Sequence, residues 1–240
     1  MSTKALKTQL LAAIAMVLVA SIALGSSTYA WFANNNKVDA TGMLITAQNN
    51  TAALLISADK TTADGIQEDG KTSATAKTPN ANIFPAAHNT FTSTTDVSTV
   101  GNWYTGSSAD PNVSTLATAT KTTLTSFDKY VLINTFYVTV AKGSAEMQNL
   151  IVDSVAITGD PAGRVVVATD EGYQEFSATV ASGANTTGTK LAASITENSV
   201  ITVKVYFYLD GNADNVYTNN FANLKETTVS LAFSATPTTV

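Results

Sequence analysis

The clearest pattern of potential ligands is Asp210-Gly211-Asn212-Ala213-Asp214, where oxygen-bearing side chains alternate as they do in calcium loops. An EF-hand loop also needs a glycine directly after the third ligand and a glutamate six positions later, where this chain has Asn215 and Phe221. Asp-Gly and Asn are also residues that tight turns select. The segment therefore predicts a turn, with Asp210, Asn212 and Asp214 as weak candidate metal ligands only.

Histidine chemistry is limited to one residue, His88, and the chain contains no cysteine. Zinc sites and Cys-His nucleophiles need two or more such side chains, so the composition excludes both. His88 follows Pro85-Ala86-Ala87 inside a polar segment. We predict that it is an exposed loop residue rather than a ligand.

Acidic residues cluster at Asp170-Glu171 with nearby Glu175, and at Glu68-Asp69. Paired carboxylates can serve acid–base catalysis, but no spacing across a sheet or pocket is evident here. We interpret both groups as solvated loops. The chain also lacks the Gly-x-Ser-x-Gly, Gly-x-Gly-x-x-Gly and Walker motifs. We expect no enzyme activity, no catalytic residue and no cofactor.

The charge balance excludes a further class of function. The 240-residue chain has a formal charge of −5, one arginine (Arg164) and only 13% charged residues, against roughly 25% in an average soluble domain. Nucleic-acid binding needs a basic patch that releases counterions, and no run of Lys or Arg provides one. We therefore expect no nucleic-acid partner.

The first 30 residues have the order of a secretory signal peptide. Lys4 and Lys7 precede an apolar stretch from Leu10 to Leu24, and small residues lead to Ala30. The apolar stretch is shorter than the roughly 20 residues that span a bilayer. We interpret residues 1–30 as a hydrophobic signal helix that is removed; a retained membrane anchor is the alternative. Removal of both lysines would leave a formal charge of −7.

The rest of the chain predicts an all-β fold. Between residues 200 and 210 an apolar residue stands at every second position, so one face of a strand is core and the other is wet or covered by a second surface. Strands separated by clusters of turn residues every roughly 8 to 12 positions indicate an antiparallel sandwich or barrel. The four clearest predicted strands are Tyr130–Val140, Leu150–Thr158, Arg164–Thr169 and Val200–Asp210.

The sequence before residue 127 predicts a hairpin and a long insertion. Val38–Ala47 and Ala52–Ala58 are short β-prone runs separated by a polar turn, which predicts a hairpin. Residues 60–126 are rich in Thr, Ser, Ala, Asn and Gly, with few large apolar side chains. We predict a long polar insertion of short strands and loops, packed locally by its aromatic residues.

Several short segments carry a resemblance to a known family. They are Thr28-Tyr29-Ala30, Phe32, the run from Ala40 to Ile45, the strand Thr135–Val140 and the closing strand Thr228–Ala235. In kind and order these resemble segments of the TasA/camelysin family, secreted proteins of Gram-positive bacteria that a SipW-type signal peptidase processes. The middle of the chain shows no such likeness.

The resemblance implies a jelly-roll β-sandwich, exported to the bacterial cell surface or extracellular matrix, whose copies assemble into biofilm fibres. It also implies that the signal peptidase is a partner during export, that it cuts between Ala30 and Trp31, and that no stable membrane anchor remains afterwards. Some camelysin-like relatives are described as metalloproteases. Because zincin chemistry uses two histidines, protease activity is the most distant alternative for this chain.

Residues 31–47 are the predicted site of polymerisation, and residues 48–240 are the predicted sandwich domain. Trp31 and Phe32, ahead of a short polar segment, would leave apolar surface in water unless they bind another surface. An extended segment can add as a strand to the sheet edge of a neighbouring molecule. Docking within the same chain and a frayed terminus are the alternatives. The predicted donor-strand residues are Trp31, Phe32, Val38, Ala40, Gly42, Leu44 and Ile45. A non-polymerising surface or matrix-binding module is the second function hypothesis.

Overall fold

A computed structural model describes residues 44–48, 53–77, 83–107, 120–178, 190–213 and 227–238. These residues are mostly β-strand, as the sequence predicts. The strands are β1 (Leu44–Gln48), β2 (Leu54–Ser57), β3 (Ser73–Thr75), β4 (Ala87–His88), β5 (Trp103–Ser107), β6 (Thr120–Thr123), β7 (Val131–Val140), β8 (Met147–Thr158), β9 (Gly163–Ala168), β10 (Tyr173–Ser177), β11 (Ala192–Ile195), β12 (Ile201–Leu209) and β13 (Thr228–Pro237). Two short α-helices are α1 (Ala63–Asp69) and α2 (Thr94–Ser98).

The long strands form two five-stranded sheets. The first sheet has the order β11-β8-β13-β1-β3, and the second has the order β10-β9-β12-β7-β2. Neighbouring strands are antiparallel, except that β1 runs parallel to β13. A third, small sheet has the order β4-β5-β6 and belongs to the predicted insertion.

One apolar core lies between the two large sheets. It includes Phe136 of β7, Val205 of β12 and Phe233 of β13, all without solvent exposure. Burial of this apolar area is the main contribution that offsets the conformational entropy lost on folding. The area is buried only when side chains of both sheets pack together. The inward residues of β12 alternate with outward ones because successive side chains of a strand point to opposite faces.

The four clearest strand predictions are confirmed as β7, β8, β9 and β12, with boundaries within a few residues. The predicted hairpin is wrong. β1 pairs with β13 and β3 in the first sheet, whereas β2 pairs with β7 in the second. The two strands therefore belong to different sheets, because each pairs with a longer strand far along the chain.

The predicted insertion folds into short elements, as expected, although some are helical. Helix α1 begins after Thr62, whose hydroxyl accepts the Gly65 N–H, and is capped at its carboxyl end by Gly70 with a left-handed φ of 58°. Its single fully buried residue, Ile66, faces the protein. In the described ranges, no helix is long and apolar enough to cross a membrane.

The aromatic residues of the insertion do not pack only with one another. Phe91 and Trp103 form a second buried cluster with Tyr206 and Tyr208, which project from the outer face of β12. The second sheet is therefore buried on both faces: the inner face by the first sheet and the outer face by the insertion. This determines the environment of the polar groups described next.

Candidate functional site

The predicted donor-strand residues lie mostly outside the described part of the chain. Trp31, Phe32, Val38, Ala40 and Gly42 are in this group, and the predicted cleavage position, Ala30–Trp31, also lies outside the described residues. Leu44 and Ile45 belong to β1. Leu44 is in register with Ser230 of β13 on one side and with Thr75 of β3 on the other. In this structure both edges of β1 are thus paired within its own chain.

The edges of the first sheet are protected unequally. β8 pairs with β13 along its length, but β11 pairs only with Met147, Gln148 and Leu150 of β8. The Leu191 N–H continues this pairing to the Leu150 carbonyl at 2.7 Å. No described strand lies beside the remaining part of β8, Ile151–Thr158, on that side.

The outer edge of β11 is capped by side chains. The Glu171 carboxylate accepts the Ala193 N–H at 2.7 Å, and the Thr169 hydroxyl donates to the Leu191 carbonyl. Glu171 is exposed, as predicted, but it has a structural role at this edge. Capped edges of this kind resist addition of another strand because their backbone groups already have partners.

The candidate calcium segment begins as a turn in this structure. The Asp210 carboxylate accepts the Asn212 N–H at 2.9 Å through one oxygen and lies 3.4 Å from the Arg164 guanidinium through the other. The Asn212 amide donates to the Tyr104 hydroxyl at 3.3 Å. Asp214 lies outside the described residues. Over the part of the chain that is described, no three acidic or histidine side chains group as metal ligands would.

His88 lies at the centre of a polar cluster between the insertion and the second sheet. Its Nε2 is 3.1 Å from Oε1 of Glu175 and 2.9 Å from the Tyr208 hydroxyl, and its Nδ1 is 2.8 Å from the Asn89 carbonyl oxygen. The Tyr208 hydroxyl donates to the same Glu175 oxygen at 2.7 Å. Both ring nitrogens of His88 and the Tyr208 hydroxyl therefore have hydrogen-bond partners within the cluster.

Aromatic rings surround this polar group. The imidazole of His88 stacks on Phe91 with ring centroids 4.0 Å apart, and the rings of Trp103 and Tyr208 are nearly perpendicular with centroids 5.0 Å apart. The His88 side chain is 12% exposed, so the prediction of an exposed loop residue is wrong. Strand β4 places His88 in register with Trp103 of β5.

Burial and pairing act in opposite directions on the Glu175 carboxyl group. Burial alone would raise its pKa, but hydrogen bonds and charge from His88, with the Tyr208 hydroxyl, outweigh it and lower the pKa below its usual value. Burial, followed by the nearby Glu175 charge, raises the pKa of Tyr208 well above 10. The cluster therefore holds an ionised Glu175 and a neutral Tyr208 at neutral pH.

Glu175 was predicted to be solvated, and this prediction is wrong because the residue lies in β10 and faces the insertion. Two tyrosines on the outward face of β12 were the sequence signal that something covers this surface. The partners themselves are 87 and 120 residues from His88 along the chain. Both ring nitrogens of His88 are occupied, so the cluster joins β4, β10 and β12 rather than presenting a base to a substrate.

A shallow polar groove lies at the other end of the insertion. Hydroxyl-bearing side chains of α2 face the start of β12 across it, beside Lys204 and Asp170. The Thr94 hydroxyl donates to the Asp170 carbonyl at 3.2 Å, so two of the lining residues are hydrogen-bonded to each other. Lys204 is exposed on the outer face of β12.

Comparison of the chain with known proteins gave no match to a family model, to a characterised protein or to a solved structure.

Proposed function

We propose that this protein is a secreted structural subunit that polymerises into extracellular matrix fibres of a bacterium. A signal peptidase of the SipW type would remove residues 1–30, and the new amino-terminal segment would add as a strand to the next subunit. The product would be a head-to-tail homopolymer, which forms a filament because the interface does not close on itself. No catalytic step is assigned to it.

The proposal includes a jelly-roll arrangement of the two sheets. Consecutive strands from β7 to β13 alternate between the sheets in the order second, first, second, second, first, second, first. Such crossing between two packed sheets supports a jelly roll, in which Greek-key connections join the layers. The parallel pairing of β1 with β13 departs from a purely antiparallel jelly roll.

The observation that carries the proposal is the position of β1. It follows directly after residues 31–43 and is hydrogen-bonded on both sides, to β13 and to β3. A donor segment must be covalently fixed to a stable body if its insertion in another subunit is to hold two bodies together. Because Leu44 and Ile45 are paired within the chain, we place the donor strand in residues 31–43.

The test compares two chains, one beginning at Trp31 and the other at Val38. We expect the first to form filaments visible by electron microscopy and to sediment as a polymer, and the second to remain monomeric at the same concentration. Circular dichroism of both should show the same β-sheet content, which controls for folding. Monomers of both chains at high concentration would contradict the proposal.

The polar groove favours a second candidate function, a non-polymerising module that binds matrix polysaccharide. Hydroxyl groups, Lys204 and Asp170 are suitable partners for sugar hydroxyls or acidic sugars. This function predicts a monomer that binds extracellular polysaccharide, with affinity lowered several-fold in Lys204→Ala. Thr75→Ala, an exposed position on β3, is the control that should bind normally.

A further inference from the structure

We infer that the acceptor for the donor strand is the open part of β8, Ile151–Thr158, and that its occupant is residues 31–43 of a second copy. This inference rests on the proposed function and specifies the receiving edge. Main-chain hydrogen bonds would extend the first sheet beyond the end of β11, so that β11 and the donor would lie one after the other along β8.

The open part of β8 is the longest stretch without a strand beside it among the described sheet edges. β8 has 12 residues, and its pairing with β11 ends at Leu150. β3 is a three-residue edge, and β10 is a five-residue edge that also contacts the insertion through Glu175. At β2, the opposite edge of the second sheet, the Ile56 N–H donates to the Lys71 carbonyl at 2.9 Å.

Side chains on this part of β8 fit an interface. Ile151 is 36% exposed and is one of two large apolar side chains with substantial exposure in the described residues. A register shift against β13 lies between Val152 and Ser154, and regular pairing resumes from Val155 to Thr158. A bulge offsets the pairing between neighbouring strands, so the regular stretch from Val155 to Thr158 is the better template for a new strand.

A buried amide marks the boundary between the covered and open parts. Gln174 belongs to β10 of the second sheet and is fully buried. Its side chain reaches β8 of the first sheet, where its Oε1 accepts the Val152 N–H at 2.7 Å. This bond fixes the amide orientation, since only the oxygen can accept. The Gln174 Nε2 is left buried without a partner in the structure. Because Gln174 already occupies the Val152 N–H, the new main-chain bonds of the donor would begin at the residues after Val152.

The length of the proposed donor fits the edge. Thirteen residues run from Trp31 to Met43, and eight of them in strand conformation would match Ile151–Thr158 at about 3.3 Å per residue. The remaining five can span up to about 17 Å to reach β1 in their own subunit. Val38, Ala40 and Gly42 alternate with polar residues, so one face of the donor would be apolar or small.

Disulfide trapping tests the inference cleanly because the chain has no cysteine. One population of full mature chains carries a single cysteine in the donor, scanned over positions 33–40. The other carries Ile151→Cys or Ala156→Cys on the open edge. Both β8 side chains are exposed, so the substitutions should preserve the fold. Matched acceptor controls are Ala193→Cys on β11, Thr75→Cys on β3 and Ser177→Cys on β10.

We expect mixed disulfide dimers at the β8 positions at least tenfold more often than at the controls. Amide exchange over Ile151–Thr158 should also slow at least tenfold on assembly. Filaments that crosslink at a control edge, with β8 unreactive, would overturn this inference and leave the fibre function standing. Crosslinks at β8 in closed dimers would support the edge and refute the fibre. Monomers with no crosslink at any edge would refute both.

Discussion

The two faces of the second sheet are both buried, but by different chemistry. The inner face contributes Val203, Val205 and Phe207 to an apolar core shared with the first sheet. The outer face of the same strand contributes Tyr206 and Tyr208 to a cluster of aromatic rings and hydrogen bonds beneath the insertion. The comparison indicates that packing alone holds the inner face, whereas the outer face depends partly on groups that titrate.

The largest effect is expected from truncation of the inner face. Phe136→Ala should lower the free energy of unfolding by about 3–5 kcal/mol, since it removes a fully buried ring and leaves a cavity. Chemical denaturation measures it. The control is Phe84→Ala, which removes a ring that is 47% exposed and should cost under about 1 kcal/mol. Equal losses in both variants would contradict the assignment of the main core.

A smaller and more local effect is expected at the outer face. Trp103→Phe should cost about 2–3 kcal/mol, because it deletes a fully buried ring edge and the 3.0 Å bond from Nε1 to the Val97 carbonyl. Hydrogen exchange should rise first over residues 83–107. Phe207→Leu, on the inner face, should instead raise exchange across both sheets. Uniform exchange in both variants would mean that the two faces unfold as one unit.

Much of this fold is predictable from periodicity, because one buried face per strand leaves a period-two pattern. β12 is the clearest case: its alternation predicted a strand with one core face and left open whether the other face is wet or covered by a second surface. The hairpin of β1 and β2 was mispredicted because proximity in sequence favours a turn, while actual pairing depends on distant strands. β1 finds β13 nearly 190 residues away, and no local signal specifies this.

The polar cluster was missed for a related reason. His88 and Glu175 each look like isolated polar residues in loops, and only the fold brings them within 3.1 Å. Side-chain hydrogen bonds between distant segments leave no spacing pattern in a single sequence. The pair of outward tyrosines on β12 was the one local sign, and it indicates a covered surface without identifying the partners.

Removal of the Glu175 charge should have an intermediate effect. Glu175→Gln should cost about 1–2 kcal/mol at pH 7, because it leaves His88 without its carboxylate partner in a largely buried site. The Glu175 pKa is lowered in the folded state, so its contribution is present above about pH 4.5 and is lost as the pH falls through the folded pKa. The difference between wild type and variant should therefore shrink in acid.

Urea denaturation at pH 7 and at pH 3 measures this difference. Glu68→Gln, on the exposed face of α1, is the matched control and should change stability little at either pH. A Glu175→Gln variant as stable as wild type at pH 7 would show that the outer face, like the inner one, is held by packing alone.

The smallest effect at neutral pH, and the sharpest contrast between the faces, is expected at Tyr206. Burial raises its pKa to about 12, whereas an unfolded tyrosine titrates near 10. Its contribution is therefore complete below about pH 10 and is lost as the pH rises towards 12. Tyr206→Phe should change stability at pH 7 by under about 0.5 kcal/mol and reduce the alkaline loss, with Tyr208 accounting for the remainder. Thermal denaturation of wild type, Tyr206→Phe and the control Tyr137→Phe from pH 8 to 11.5 measures this loss. Equal losses of stability in all three chains would contradict the prediction.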